Sequence, residues 1–127
     1  MVNMTVSTME NERDLSDGDV VLVDFRPVRG HEQDGTRPAL VMTDFAYNAA
    51  STYVVVCPIT SNTRPWPFKM ALPDGLKVRG FVMLDQIKSI DRQRRVLRRI
   101  DHVSTQEMAA YRERLGVLLK LPIANGG

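Results

Sequence analysis

The chain has 127 residues, of which 43% are hydrophobic and 25% are charged, as in an ordinary single globular domain. This composition excludes a collagen-like or largely disordered protein, and the formal net charge of +2 is too small for a protein that coats nucleic acid nonspecifically. The longest apolar run, residues 53–57, is far shorter than the ~20 residues of a membrane span. With one cysteine, Cys57, and no secretory signal pattern, we expect a cytoplasmic protein without an internal disulfide.

The N-terminal part of the chain combines a tail, a strand and a long loop. Residues 1–16 are polar and aperiodic, which predicts a flexible tail in front of a single domain at residues 17–121. The first strand is predicted at residues 19–25, a β-branched and apolar run that ends before a proline. Residues 26–38 are predicted to form a long polar loop with turn residues at both ends. Loops of this length inside compact domains are usually functional or disordered, so this one is a candidate for the functional site.

Short strands account for most of the remaining chain. A continuous apolar run at residues 53–60 predicts a strand that is buried on both faces, whereas residues 46–52 are predicted to form a turn. A polar loop that is broken by two prolines follows at residues 61–67. The other predicted strands are residues 38–44, 68–72, 80–85 and 96–103.

The spacing of the apolar residues changes after residue 103, which predicts a C-terminal helix. Ser104 and Glu107 match a capping box, in which each side chain bonds a free backbone amide. Pro122 marks the end of the helix and leaves residues 122–127 as a loose C-terminus. We therefore predict a mainly β (α+β) fold, a small barrel or curled sheet with one amphipathic helix. The apolar stripe of that helix consists of Met108, Tyr111, Leu115, Leu118 and Leu119.

The sequence offers little for metal or cofactor chemistry. His31, His102 and Cys57 do not have the spacing of a zinc motif, and the acidic residues are scattered. Neither a P-loop nor a GxGxxG motif is present, so we expect neither a metal nor a cofactor. Cys57 lies within a β-branched run, which is typical of a buried, unreactive thiol rather than of a nucleophile.

Polar side chains gather at the predicted strand ends, in three loops. Taken singly, none of them identifies a reaction: Arg37 suits a surface ion pair, and Thr60 suits a strand-end residue that bonds its own backbone. By themselves these residues indicate only a small β protein with a polar, arginine-containing face. The three loops offer Glu32, Gln33 and Arg37, then Thr60, Ser61, Asn62 and Arg64, and then Asp85, Gln86, Lys88, Ser89 and Asp91.

The order of the segments is more specific than any one of them. The blocks, in order, are Gly18-Asp19, Val23-Asp24-Phe25, Gly30-x-Glu32-Gln33-x-Gly35-x-Arg37-Pro38-Ala39, Pro58-Ile59-Thr60-Ser61, Trp66-Pro67-Phe68 and Asp85-Gln86-Ile87-Lys88-Ser89-Ile90-Asp91. This series resembles the MazF/PemK (Kid) family of toxin endoribonucleases from bacterial toxin–antitoxin systems, and the resemblance runs from about residue 18 to residue 119. Its most specific parts are the block that begins at Gly30 and the block that begins at Asp85.

The resemblance implies a fold, an activity and partners. The fold would be a small SH3-like β-barrel with a C-terminal helix, assembled as a homodimer. The activity would be sequence-specific, metal-independent cleavage of single-stranded RNA, specifically mRNA. The products would carry 2′,3′-cyclic phosphate and 5′-hydroxyl ends, and the cellular effect would be inhibition of translation. A cognate, MazE-like antitoxin would bind the toxin dimer and block its RNA groove.

The family's catalytic residues carry over to Arg37 and Thr60 of this chain. RNA contains its own nucleophile, the 2′-hydroxyl, so a protein need only align that group and stabilise the charge that develops on the phosphate. A guanidinium suits this task because its fork binds two phosphate oxygens and it stays charged. The resemblance further implies substrate-binding roles for Glu32, Gln33, Ser61, Gln86 and Lys88.

Two acid–base roles stay open at this point. Glu32 is one candidate for the group that removes the 2′ proton, and it could instead hold the loop by pairing with a base such as Arg37. His31, beside it, is a second candidate, because metal-free ribonucleases often use histidine as acid and base. His102 is expected to be structural.

The roles of two surface features also stay open. Five arginines within residues 92–99 suit an electrostatic track for RNA, a site for an acidic antitoxin tail, or a solvated face. Trp66 and Phe68 could stack on unpaired bases, or they could pack against the barrel or a partner protomer.

Two other functions compete with RNA cleavage. One is a toxin of the same fold that binds DNA gyrase; its C-terminal Trp-Gly-Ile is absent here, where the chain ends in residues 125–127, Asn-Gly-Gly. The other is a noncatalytic module that binds RNA or an antitoxin. Arg37 and Thr60 together favour the nuclease over both.

Overall fold

A computed structural model describes residues 15–26 and 35–122. Within these residues the chain forms seven strands, three helical segments and one 3₁₀ turn at Leu84–Gln86. The helical segments are α1 (Phe45–Ala50), the single turn α2 (Arg92–Arg95) and α3 (Thr105–Leu119). The strands are β1 (Asp19–Asp24), β2 (Thr36–Val41), β3 (Tyr53–Thr60), β4 (Lys69–Ala71), β5 (Phe81–Met83), β6 (Lys88–Asp91) and β7 (Val96–His102).

The strands form one antiparallel sheet with the order β4-β5-β3-β2-β1-β7. β3 is the centre of the fold, because its first half pairs with β6 and its second half with β5. Ile90 of β6 and Val96 of β7 belong to one apolar cluster although three strands separate β6 from β7 along the sheet, so the sheet is curled. The predicted mainly β fold with a C-terminal helix is confirmed; β4 and β7 end the hydrogen-bonded order among the described strands.

Successive side chains of a strand point to opposite faces of the sheet, so alternating residues of the central strands pack into two separate apolar cores. Leu40 and Cys57 face the first core, which α3 covers with Met108 and Tyr111. The second core lies inside the curl of the sheet and consists of Leu15, Val21, Val23, Ala39, Val41, Val54, Val56, Ile90 and Val96. The prediction that β3 is buried on both faces is confirmed.

Helix α3 follows the predicted capping signal. The Ser104 hydroxyl accepts a hydrogen bond from the Glu107 backbone N–H at 3.1 Å, and the helix ends at Lys120, which has a left-handed backbone with φ of 57°. Tyr111 is fully buried and donates its hydroxyl proton to the Ala71 carbonyl at 2.9 Å. The predicted apolar stripe is wrong at its last position, because Leu119 is 51% exposed.

Residues 46–52, predicted to form a turn, instead contain helix α1. Asp44 caps the helix by accepting a hydrogen bond from the Tyr47 N–H, and the fully buried Asn48 donates to the carbonyls of Leu15 and Thr43. The helix is therefore stabilised by a contact to a residue 33 positions away, which no local pattern reveals. The strand predicted at residues 38–44 lies at Thr36–Val41.

The domain begins earlier than predicted. The tail was predicted to end at residue 16, but the Leu15 side chain is fully buried in the second core. Residues 1–14 of the predicted tail and residues 123–127 of the predicted loose end lie outside the described part of the chain. Among the described residues, no helix is both long and apolar enough to cross a membrane.

Candidate functional site

Arg37 and Thr60 lie on adjacent antiparallel strands at the same end of the sheet. The ladder between β2 and β3 pairs Ala39 with Pro58. This is the last pair of the ladder, and Arg37 and Thr60 each lie two residues beyond it towards the same end of the sheet; side chains two residues apart on a strand share a face. Arg37 and Thr60 are far apart in the sequence, but the pairing of β2 with β3 brings them to the same end of the sheet.

Arg37 and Thr60 both line one pocket of about 260 Å³. Arg37 is exposed and Thr60 is half-buried, so both polar groups are open to a ligand at the pocket mouth. This volume is large enough to receive a phosphate group of a ligand. The lining residues are Thr36, Arg37, Pro38, Ile59, Thr60, Ser61 and Arg79.

Arg37 lies in strand β2, whereas the sequence predicted it in the first loop. Its backbone pairs with Val23 of β1, which is fully buried, so the strand fixes the start of the side chain while the guanidinium stays in solvent. No carboxylate within the described residues pairs with it. An arginine held this way at a pocket is available for an anionic ligand.

Thr60 is the last residue of β3, and its Oγ1 accepts a hydrogen bond from the Asn62 N–H at 3.1 Å. This is the strand-end bond to the local backbone that residue type alone suggested. The bond uses an oxygen lone pair and leaves the hydroxyl proton free to donate to a ligand in the pocket. The structural role and a site role are thus compatible for Thr60.

Gly80 fixes the other side of Thr60. It has a φ of 142°, and a Cβ built there would lie 2.5 Å from the Thr60 carbonyl oxygen. Only a glycine permits this approach of the β4–β5 connection to the end of β3. The position of Thr60 therefore depends on a residue 20 positions further along the chain.

The candidate loop residues His31, Glu32 and Gln33 lie outside the described residues, so their predicted roles stay predictions. The two ends of that loop touch each other: the Phe25 N–H donates to the Gly35 carbonyl at 3.1 Å. Phe25 directly follows β1 and Gly35 directly precedes β2, the two strands in which Val23 pairs with Arg37. The loop that holds the predicted acidic residue therefore starts and finishes beside the pocket.

Asp24 anchors the first end of this loop. Its carboxylate accepts hydrogen bonds from the Arg26 backbone N–H and from the Arg26 guanidinium at 2.9–3.0 Å. These bonds lower the pKa of Asp24 to about 2, the side-chain bond having the largest effect. Asp24 is thus ionised throughout the neutral range and is unsuited to act as a general base at the pocket.

The remaining predicted substrate-binding residues occupy different places. Ser61 lines the pocket with Thr60. Gln86 ends the 3₁₀ turn and Lys88 begins β6, and neither lines the pocket. The Lys88 ammonium lies over the Phe25 ring, 5.2 Å from its centroid, so the curl of the sheet brings this lysine across to the strand that leads into the loop.

The structure adds a pocket residue that the sequence did not single out. Arg79 lies in the β4–β5 connection, is exposed and lines the pocket beside Thr60 and Arg37. A lone arginine before a glycine carries no motif of its own. The only local signal was Gly80 itself, a glycine at the start of a strand, which often marks a close backbone approach.

The arginine-rich segment at residues 92–99 divides into two groups. Arg92 is buried and donates to the Ser51 carbonyl at 3.0 Å, and Arg95 donates to the Arg26 carbonyl at 2.6 Å. Arg99 pairs with Asp19 at 3.5 Å. Only Arg94 and Arg98 are exposed arginines of this segment. Most of the cluster is therefore part of the framework.

Trp66 and Phe68 also have different environments. Phe68 packs against the first core, as one of the two predicted alternatives stated. Trp66 is 53% exposed, its indole N–H donates to Asp85 at 2.9 Å, and its ring lies edge-on to Phe68. The exposed indole face is thus held in a fixed orientation. Base stacking remains an interpretation for Trp66 alone.

The other titratable candidates are part of the framework. Cys57 is buried, and burial raises the pKa of its thiol to about 12, so it supplies no thiolate near neutral pH. His102 Nδ1 lies 2.8 Å from the Asp19 carboxylate, which joins β7 to β1 and supports the structural role predicted for it. Among the described residues, no three potential ligands are grouped to hold a metal ion.

The chain is similar to known proteins over most of its length. Residues 16–119 match the family model described as PemK-like, MazF-like toxin of type II toxin–antitoxin system. The chain is 33% identical over 102 residues to the endoribonuclease toxin MazF of Escherichia coli strain K12, covering 80% of this chain and 91% of that protein. It is 34% identical over 115 residues to the endoribonuclease PemK of Escherichia coli, covering 87% and 86%.

Solved structures show the same fold. The crystal structure of MazF (Form-I) from Deinococcus radiodurans is 36% identical, covers 84% of this chain and 97% of that one, and superposes with a TM-score of 0.73. The MazE-MazF (Form-II) structure from the same organism is 35% identical, covers 86% and 98%, and has a TM-score of 0.77.

Proposed function

The chain belongs to the PemK-like, MazF-like toxin family of type II toxin–antitoxin systems, and from this premise we propose that it is a toxin endoribonuclease. It cleaves single-stranded RNA, specifically mRNA, at a short sequence, without a metal ion, and so inhibits translation. The observation that carries the proposal is the pocket in which Arg37 and Thr60 converge from adjacent strands.

The reaction uses the 2′-hydroxyl of the RNA as nucleophile. This oxygen attacks the adjacent phosphorus, the bond from phosphorus to the 5′-oxygen breaks, and the products carry a 2′,3′-cyclic phosphate and a 5′-hydroxyl. One proton leaves the 2′-oxygen and one is delivered to the 5′-oxygen, so no water and no cofactor are consumed. The catalyst must align the two oxygens in line and stabilise the charge on the phosphate.

Arg37 suits the charge-stabilising role, because its exposed guanidinium reaches the pocket and two of its N–H groups can bind two phosphate oxygens. It also suits donation of a hydrogen bond to the leaving 5′-oxygen. Thr60 orients the phosphate or the 2′-hydroxyl through its free hydroxyl proton, and its own high pKa makes it unsuitable as the base. Glu32 is one candidate for the base, with pairing to a neighbouring basic residue such as Arg37 as its alternative role, and His31 is another candidate.

The surrounding polar residues bind the substrate. Ser61, which lines the pocket, is proposed to contact the phosphate or its sugar. Sequence-specific recognition of single-stranded RNA relies on base-edge contacts from loops. We assign such contacts to Glu32, Gln33, Gln86 and Lys88.

The partners follow from the family. The MazE-MazF structures from Deinococcus radiodurans contain a toxin relative together with MazE, and we propose that a MazE-like antitoxin binds this chain in the cytoplasm. We also propose a homodimer. An exposed apolar surface at the end of α3 and just beyond it supports the homodimer, because Val117, Leu119 and Leu121 are each more than half exposed.

The test is cleavage of a long unstructured RNA in excess EDTA. The wild-type protein and an Arg37→Ala variant are compared, and the product ends are identified. Cleavage by the wild type alone, leaving cyclic phosphate and 5′-hydroxyl ends, is the expected result. Intact RNA with a folded, antitoxin-free wild-type protein would contradict the proposal, and cleavage by folded Arg37→Ala at the wild-type rate would contradict the mechanism.

A further inference from the structure

Arg37 shares its pocket with a second arginine, Arg79, that has no assigned role. Both side chains are exposed and both line the same volume of about 260 Å³. In residues 15–26 and 35–122, the ion pairs of arginine involve Arg26, Arg95, Arg99 and Arg112. Neither pocket arginine has a carboxylate partner within that part of the chain.

Two guanidiniums that face one small pocket repel each other, and nearby water only screens the repulsion. Some arginines elsewhere in the described fold are neutralised by carboxylates: Arg112 pairs with Asp17 and Arg99 with Asp19. The pocket is therefore arranged to receive negative charge from a ligand. A guanidinium fork matches the oxygens of a phosphate, and each such contact releases counterions from the nucleic acid.

A strand of RNA carries one phosphate per nucleotide, so a chain whose scissile phosphate lies at Arg37 brings further phosphates close by. A guanidinium is matched by the anionic phosphates of the backbone rather than by a neutral base, so the backbone is the part of the RNA that suits Arg79. Resting on the proposed function, we propose that Arg79 binds a second phosphodiester group, next to the scissile one, and so sets the register of the RNA in the site.

The backbone geometry links Arg79 to the catalytic pair. Gly80 follows it directly and packs so closely on Thr60 that a Cβ would meet the Thr60 carbonyl at 2.5 Å. The strand pairing of Thr60 with Phe81 then fixes the residue after the glycine. The protein backbone at Arg79 is thus fixed relative to Thr60. A residue that sets the register of the RNA backbone in the site needs such a fixed position.

The first test measures binding of a noncleavable RNA that has a 2′-deoxynucleotide at the mapped cleavage position. Arg79→Ala is compared with Lys77→Ala, which removes the same charge from the same connection at an exposed residue that does not line the pocket. We expect Arg79→Ala to weaken binding about tenfold and to lower the slope of log K against log salt by about 0.7, the value for one contact to a single strand. Lys77→Ala should change neither quantity.

The second test locates the phosphate. Each phosphate near the cleavage position is replaced in turn by an uncharged methylphosphonate, and binding is measured with wild type and with Arg79→Ala. We expect one position adjacent to the scissile phosphate at which the replacement weakens wild-type binding but has no further effect on the variant. Equal losses at every position for both proteins would overturn the proposal.

The outcomes separate the two proposals. A wild type that cleaves RNA while Arg79→Ala matches it in affinity and salt slope overturns the role of Arg79 and leaves the nuclease intact. A wild type that cleaves no RNA overturns the nuclease. The salt slope, measured then with any single-stranded RNA, still decides whether Arg79 contacts a phosphate, because an unchanged slope contradicts it.

Discussion

Two arginine-bearing regions of this protein differ in what their guanidiniums contact. The segment at residues 92–99 has five arginines, and three of them bind carbonyls or carboxylates of the framework. The pocket has only Arg37 and Arg79, which are exposed and lack a carboxylate partner among the described residues. The dense cluster stabilises the fold, while the sparse pair faces the site.

The difference shows that charge density along a sequence is a poor guide to a binding surface. Arg95, the last residue of α2, donates to the Arg26 carbonyl, and Arg92, the first residue of α2, donates to the Ser51 carbonyl, two residues before β3. Both bonds consume donors that RNA would otherwise receive. An arginine is available for a ligand only where the fold provides it with no acceptor.

The largest effect is expected at the pocket. Arg37→Lys keeps the positive charge but loses the planar fork, so cleavage should fall by roughly 10²–10³-fold, as when a donor to a developing oxyanion is removed. The melting temperature should stay at the wild-type value, since the side chain is exposed. Single-turnover cleavage measures the rate, and thermal unfolding measures the melting temperature. Wild-type cleavage by the lysine variant would show that charge alone suffices.

Gly80→Ala should give the next largest effect. The added methyl group meets the Thr60 carbonyl at 2.5 Å and must displace it, and a displacement of about 1 Å at a catalytic group can cost about 10²-fold in rate. Gly75→Ala is the matched control, because Gly75 also has a positive φ, of 95°, but has no atom within 4 Å of the added group. Both variants should lose stability, and only Gly80→Ala should lose cleavage beyond its loss of folded protein. Parallel losses of rate would refute the link to Thr60.

Arg92→Ala tests the framework group. It removes a buried side chain and its hydrogen bond to the Ser51 carbonyl, so the free energy of unfolding should fall by about 1–3 kcal/mol. The folded fraction should cleave RNA at the wild-type rate. Urea unfolding and cleavage per folded molecule check both statements. If Arg92→Ala leaves the free energy of unfolding unchanged and weakens RNA binding, Arg92 contacts RNA and does not belong to the framework.

Much of the fold could be predicted from local patterns. The β-branched runs gave the central strands, with β3 matched at both ends, because a strand buried on both faces has a continuous apolar sequence. The capping signal placed the start of α3 because Ser104 bonds the first turn directly. Helix α1 escaped prediction because its stability comes from Asn48 and its distant contact to Leu15.

The candidate site could be predicted only where the chain carries a motif. Arg37 and Thr60 followed from the order of the blocks, and the register of β2 and β3 explains why they are neighbours. Arg79 could not be predicted, because it reaches the pocket through the pairing of β5 with β3, which residue types do not reveal. Which arginines of residues 92–99 bind the framework likewise depends on the carbonyls that the curled sheet brings close to them, such as those of Ser51 and Arg26.

A smaller effect is expected on the stability of the fold when the pH is lowered. Hydrogen bonds from Arg26 hold the pKa of Asp24 at about 2, below its usual 3.8, so their contribution to stability is present above about pH 4 and is lost as the pH falls towards 2. Asp24→Asn should therefore reduce the difference in unfolding free energy between pH 5 and pH 2. Urea unfolding at several pH values measures it, with Asp74→Asn as the charge-matched control in an exposed turn. Identical pH profiles for wild type and Asp24→Asn would contradict this account.

The smallest effect is expected at Arg98, the exposed arginine that most resembles a track residue. Arg98 pairs with Leu22 of β1, whereas Arg37 pairs with the next residue, Val23, so the two arginines lie on opposite faces of the sheet. Arg98→Ala should leave RNA cleavage and the salt slope of RNA binding unchanged, while Arg79→Ala lowers that slope by about 0.7. A drop of the same size for Arg98→Ala would mean that RNA wraps around the sheet edge at β7, and the contrast between the two arginine regions would fail.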